Sequence, residues 1–171
     1  TNVKSSLFPA GEDGKATTLY LLHILSTINF LLYVLNFYEN DDYGWWLKVN
    51  YIAYHYAIHK LTDLQQHFIQ NKLMTEDISN YFDELDIENA PYINGTFRNC
   101  VMHSKLVDKN EIAIIDPAYL DKSKPLFGLV ETCFNGMDYQ NLKLSLISET
   151  TKISNVLSRW LKIESLQVKP L

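Results

Sequence analysis

Residues Ala16 to Tyr38 read ATTLYLLHILSTINFLLYVLNFY, and no formally charged side chain occurs between Lys15 and Glu39. A run this long and this apolar has two physical destinations, a bilayer or the interior of a helical bundle. His23, Ser26, Thr27, Asn29 and Asn36 interrupt it, it is the only such run in the chain, and its flanks carry no polybasic side that would orient a membrane span. The expectation is a core helix of an all-α bundle in a protein with no membrane partner. An anchored protein using residues 16–38 is the competing reading.

The sequence on either side supports the bundle. Residues 1–14, TNVKSSLFPAGEDG, mix Pro, Gly and charge and read as a terminal arm. Downstream, DDYGWWLKVNYIAYHYAIHKLTDLQQHFIQ predicts a second helix capped by Asp41 or Asp42. Its apolar stripe is Trp46, Val49, Ile52, Ala53, Tyr56, Ala57, Leu61 and Leu64. MTEDISNYFDELD predicts a short third helix with Thr75 at its N-cap and acids in its first turn. A turn at Asn94-Gly95 leads into a helix from about Phe97. Ile112, Ile114 and Ile115, ending at Asp116-Pro117, give the one β-like passage, so a hairpin or extended insertion is expected near 110–127. Leu142, Leu146, Ile153, Leu157, Trp160 and Leu161 predict a long closing helix with Asp138 near its start. The sum is four to five helices in one domain spanning 1–171.

Composition narrows the function classes. At 171 residues and 47% hydrophobic content the chain can bury one sizeable core. Only Cys100 and Cys133 occur, without CxxC spacing, which excludes a zinc ribbon or thioredoxin-type motif and sets a reduced, cytoplasmic location as the expectation. The net charge of −5 argues against coating nucleic acid through bulk positive potential. The charge is unevenly placed, however. Residues 1–90 hold five Lys/Arg against twelve Asp/Glu, while 91–171 hold ten against eight. Cations therefore gather from the Asn94 turn onward, where a local anionic ligand would be met.

No GxxxxGK[ST], GxGxxG or GxSxG occurs, which removes P-loop hydrolysis, dinucleotide-dependent redox chemistry and the usual serine hydrolase. His55, His59 and Asp63 share one helical stripe at spacings of four, a geometry open to a divalent metal, but residues 55–59 read HYAIH rather than HExxH. A packed or surface role for these histidines is expected, and no metal or other cofactor.

There remains RNCVMH, residues 98–103. On a helix Arg98 and His103 stand about 140° apart and about 7.5 Å along the axis, so a single helix does not easily close both on one atom. Two copies facing across a two-fold axis can instead bracket a common groove, with Cys100, Val101 and Met102 apolar enough to pack beside a partner. The residue types suit RNA phosphate chemistry. Imidazole exchanges protons near neutrality and serves a ribose 2′-hydroxyl or a leaving 5′-oxygen. The guanidinium fork matches phosphate oxygens on which charge builds, and Asn99 can pin an imidazole or ligand through its amide.

Arg98-Asn99-x-x-x-His103 resembles the RNxxxH form of the R-x(4–6)-H motif of HEPN domains, small all-α domains of toxins, abortive-infection proteins and RNA-guided CRISPR ribonucleases. The context is similar too, with two long helices upstream and one downstream, over residues 15–162. The resemblance implies a metal-independent endoribonuclease acting as a homodimer. In it Arg98 and His103 would be catalytic and Asn99 orienting, with RNA as substrate, an antitoxin or regulatory partner, and a toxin or antiviral-defence role. One toxin branch carries a tyrosine two residues after the histidine; here that place is Lys105, so no subfamily is assigned. Lys105 and Lys109 are the candidates for steering RNA phosphate. The alternative from another class is a non-catalytic helical module of the same fold that binds RNA or a partner protein.

Overall fold

The computed structural model describes residues 8, 9, 11–38, 44–103 and 121–163. Among them are six α-helices and no strand: α1 (Glu12–Tyr33), α2 (Trp45–Gln70), α3 (Glu76–Leu85), α4 (Gly95–His103), α5 (Leu129–Cys133) and α6 (Tyr139–Leu161). The all-α bundle expected from periodicity is what forms, with the five-residue α5 as the short addition. The segment 104–120, which holds most of the β-like passage, lies outside the described residues, and 121–128 forms a turn and a 3-10 turn at Pro125–Gly128.

Local chemistry sets the helix starts. Thr75 accepts from the Ile78 amide at 3.3 Å and Asp138 from the Asn141 amide at 2.7 Å, each satisfying one of the orphan donors of a first turn. Asp41 and Asp42, the expected caps of α2, lie outside the described residues, and the N-cap is Gly44, whose φ of 72° is left-handed. Helix α1 begins at Glu12, so the last three residues of the expected arm belong to it, their carboxylates favouring the N-terminal end of its dipole.

Helices α1, α2 and α6 pack against one another, α1 against α6 most extensively, while α4 packs on α2 and α3 on α6. Trp46, Tyr51, Tyr54, Phe68, Phe97 and Trp160 are the largest fully buried side chains, within one contiguous apolar cluster. Tyr81 stacks on Trp160 with centroids 5.1 Å apart and Phe82 meets the same ring edge-on at 5.3 Å, locking α3 to α6.

The α2 stripe is corrected in part. Trp46, Ala53, Ala57, Leu61 and Leu64 are buried as expected, but Val49 is 37% exposed and Ile52 and Tyr56 are half-buried. The core runs instead through Leu47, Tyr51, Tyr54 and Ile58. The first half of α2 is apolar on nearly every side, so two stripes satisfy three-and-four spacing, and packing chose between them.

Helix α1 explains its own ambiguity. By length and composition it could cross a membrane, yet Leu21, Ile24, Leu25, Ile28 and Leu31 are buried in the bundle. Three of its polar interruptions have partners: Ser26 and Thr27 donate to the His23 carbonyl at 2.9 and 3.0 Å, and Ser154 of α6 donates to Asn29 Oδ1 at 2.6 Å. The opposite face of α1, however, is apolar and exposed.

Candidate functional site

Helix α4 carries RNCVMH, and α2 holds it in place. Asn94, rather than a residue next to Phe97, starts the helix: its Oδ1 accepts from the Phe97 amide at 2.9 Å, and its Nδ2 donates to the Cys133 carbonyl at 2.9 Å. The Tyr51 hydroxyl accepts from the Asn94 amide at 2.9 Å, and its proton lies within reach of the carbonyls of Asn94 and Tyr92, at 2.9 and 3.0 Å. Phe97 is fully buried, edge-on to Tyr51 at 4.6 Å and to Phe134 at 5.1 Å. With Phe97 wedged inward, Arg98, Asn99 and Met102 face a groove between α4, α2 and α1.

That groove has a volume of about 850 Å³ and an apolar lining that includes Phe30, Leu31, Val49 and Ile52. Its polar end gathers Arg98, Asn99, His55 and His59. The Arg98 Nη1 donates to Asn99 Oδ1 at 3.0 Å and stands 3.4 Å from His103 Nε2. The expectation that one helix does not readily bring these two groups together is therefore corrected. Helical Cα–Cβ bonds tilt toward the N-terminus, which returns an imidazole at 103 toward Arg98, and the long arginine side chain covers the remaining distance. Arg98 is half-buried and His103 exposed. Among the described residues no carboxylate lies within ion-pair distance of Arg98.

His55 and His59 enter this site from α2. Their ring centroids are 4.4 Å apart, and burial, then His59, then the Arg98 guanidinium push the His55 imidazole down to about 4. His55 is therefore neutral at pH 7, offering one donor and one acceptor. Asp63 does not join them; it pairs with Lys60 at 3.6 Å, and among the described residues no three His, Cys, Asp or Glu side chains converge on a metal position. The sequence shows the histidine pair only as a stripe on α2. That it faces Arg98 depends on how α2 and α4 pack.

Both thiols stay protonated. Burial raises Cys100, and burial together with the neighbouring Cys100 raises Cys133 to about 12, so neither supplies a thiolate nucleophile at neutral pH. Lys105 and Lys109 lie outside the described residues. Among the described residues the groove wall offers the Arg98 guanidinium, the Asn99 amide and the imidazoles of His55 and His59, with His103 beside Arg98. No protein-family model matches the chain, nor does any curated protein or solved structure.

Proposed function

We propose that the chain is a metal-independent endoribonuclease of HEPN type that acts as a homodimer. One observation carries the reading: the Arg98 guanidinium, with no described carboxylate to neutralise it, stands 3.4 Å from the His103 imidazole and is steadied by Asn99. A half-buried cation without an anion partner among the described residues favours an anionic ligand, and an adjacent imidazole supplies what a phosphodiester needs to be broken.

In this reading His103 takes the proton from a ribose 2′-hydroxyl as that oxygen attacks the adjacent phosphorus, or gives one to the departing 5′-oxygen. A pair of His103 residues, one per subunit, divides the two tasks. Arg98 binds the equatorial phosphate oxygens as charge accumulates on them. Asn99 fixes the guanidinium through its Oδ1. Neutral His55 lines the groove without adding charge.

The test is cleavage of a labelled tRNA and mRNA pool in excess EDTA by the parent and by His103→Ala. Cleavage by the parent alone supports the reading. An intact pool with both proteins, folded and dimeric, would move the conclusion to a non-catalytic RNA-binding or protein-interaction module of the same fold.

A further inference from the structure

The groove beside α4 joins an oily wall to a single cationic side chain. Among the described residues that line it, Arg98 is the only one drawn from Lys, Arg, Asp and Glu. Three exposed large apolar side chains, Phe30, Met102 and Val49, meet on the same wall at 52%, 43% and 37% exposure. The part contributed by α2 runs from Val49 to His59, about 15 Å along the helix axis. Val49, Ile52 and Ala53 come first along it and His55 and His59 toward the far end. The volume of about 850 Å³ is that of a small-molecule site.

A cation at one end and apolar surface along the rest select a ligand divided in the same way. A nucleobase has polar edges that this wall would leave unpaired. A nucleotide polyphosphate brings several negative charges against one guanidinium, and His55, held neutral by burial, adds none. A carboxylate brings one charge and two coplanar oxygens, which a guanidinium takes through two parallel N–H donors. Among the described residues both polar contacts of Arg98 leave from Nη1, to Asn99 at 3.0 Å and toward His103 at 3.4 Å, so Nε and Nη2 face no protein acceptor. A bilayer surface is a poorer match. Sites that lie on membranes carry a rim of Lys and Arg, whereas this groove has one arginine in a chain of net charge −5.

We infer that the groove binds a free alkyl monocarboxylate, an anion of the fatty-acid class, with its carboxylate on Arg98 and its chain laid against Phe30, Val49 and Ile52. Covering the wetted apolar wall supplies most of the affinity, and the guanidinium sets which end of the ligand lies where. A carboxylate on Arg98 and an RNA phosphate on the same group exclude each other, a consequence that rests on the ribonuclease reading; the binding itself does not.

Titration calorimetry of the full chain with decanoate, below the concentration at which it forms micelles and without RNA, tests it. The parent is expected to take up one decanoate per chain, to bind decanol about 10–100-fold more weakly for want of the charged contact, and to show no saturable uptake of acetate. Arg98→Gln is expected to lower decanoate affinity to that of decanol and to leave decanol binding unchanged. Val49→Asp, at a partly exposed position on the apolar wall, is expected to weaken both ligands with unchanged helical circular dichroism, whereas Leu144→Asp, at an exposed position on α6, is expected to weaken neither. Absence of saturable decanoate binding overturns the inference, as does equal affinity for decanoate and decanol, or decanoate binding indifferent to Arg98→Gln. Flotation with phosphatidylcholine/phosphatidylserine vesicles by a chain that takes up no free decanoate overturns it in favour of a bilayer. The two claims fail separately: a chain that binds decanoate and leaves RNA intact upholds this inference without the ribonuclease, and a chain that cleaves RNA without binding decanoate does the reverse.

Discussion

The Tyr51 hydroxyl and the backbone of Asn94 hold each other at both ends of one peptide residue, the amide donating at 2.9 Å and the carbonyl lying within reach of the phenolic proton at 2.9 Å. This places the start of the helix bearing Arg98 and His103 under the control of a fully buried residue on α2. Burial pushes the phenol up to about 12, outweighing the opposing effect of the contact with Asn94. Tyr51→Phe keeps the ring but leaves a partly buried amide short of its acceptor. The expected cost is about 1–3 kcal/mol in urea denaturation. Asn94→Ala, which removes the cap on Phe97, is expected to cost about 1 kcal/mol. Because both act on one turn, the double variant should lose less than the sum of the singles.

His55 ties stability to acidity. Its folded value of about 4 lies below the ordinary 6.5, so between those limits the unfolded chain binds the extra proton. The contribution is complete above pH 6.5 and is lost as pH falls toward 4. Melting temperature should therefore drop across that window, and His55→Gln, which stays neutral, should flatten the decline. An unchanged slope in His55→Gln would assign the acid sensitivity to other groups.

Much of the fold is legible because it is local. Thr75 and Asp138 cap their helices through contacts three residues long, and the periodicity of α6 has one solution because its other face is polar. What is not legible depends on partners far away in sequence. The α2 stripe is ambiguous because Val49, Ile52 and Tyr56 satisfy the same spacing as Leu47, Tyr51 and Tyr54, and only the arrival of α4 and α6 decides which set is buried. At the site, a helical wheel treats Arg98 and His103 as radial vectors and separates them. Side-chain length and tilt bring them to 3.4 Å. His55 could be noticed from its spacing to His59, but its approach to Arg98 joins elements more than forty residues apart.

Arg98 should matter to chemistry and little to folding. It has no described ion-pair partner, so Arg98→Gln is expected to shift stability by no more than about 0.5 kcal/mol. In the ribonuclease reading the same change removes transition-state charge stabilisation worth about 10²–10³ in rate. Arg98→Lys should recover only part of it, because an ammonium lacks the planar fork. His103→Ala should cost about 10²–10⁴, the usual weight of a general acid or base. Single-turnover cleavage alongside thermal melts checks all three; variants that lose stability and activity together would make Arg98 a structural residue.

The junction of α3 and α6 separates contacts that hold the fold from contacts that merely accompany it. Trp160 is fully buried, stacked on Tyr81 and edge-on to Phe82, whereas Arg159, one residue earlier, reaches Glu84 across solvent. Trp160→Ala removes a large apolar ring and leaves a cavity that two aromatic neighbours cannot fill, so it should cost about 3–5 kcal/mol. Arg159→Ala breaks an exposed ion pair whose Coulomb gain is screened by water and offset by side-chain entropy, so at most about 1 kcal/mol should be lost, and less at high salt. Urea denaturation at two ionic strengths distinguishes them. The Trp160→Ala loss should be insensitive to salt, and amide exchange should rise first in α3, whose buried face, Ile78, Phe82 and Leu85, loses its cover.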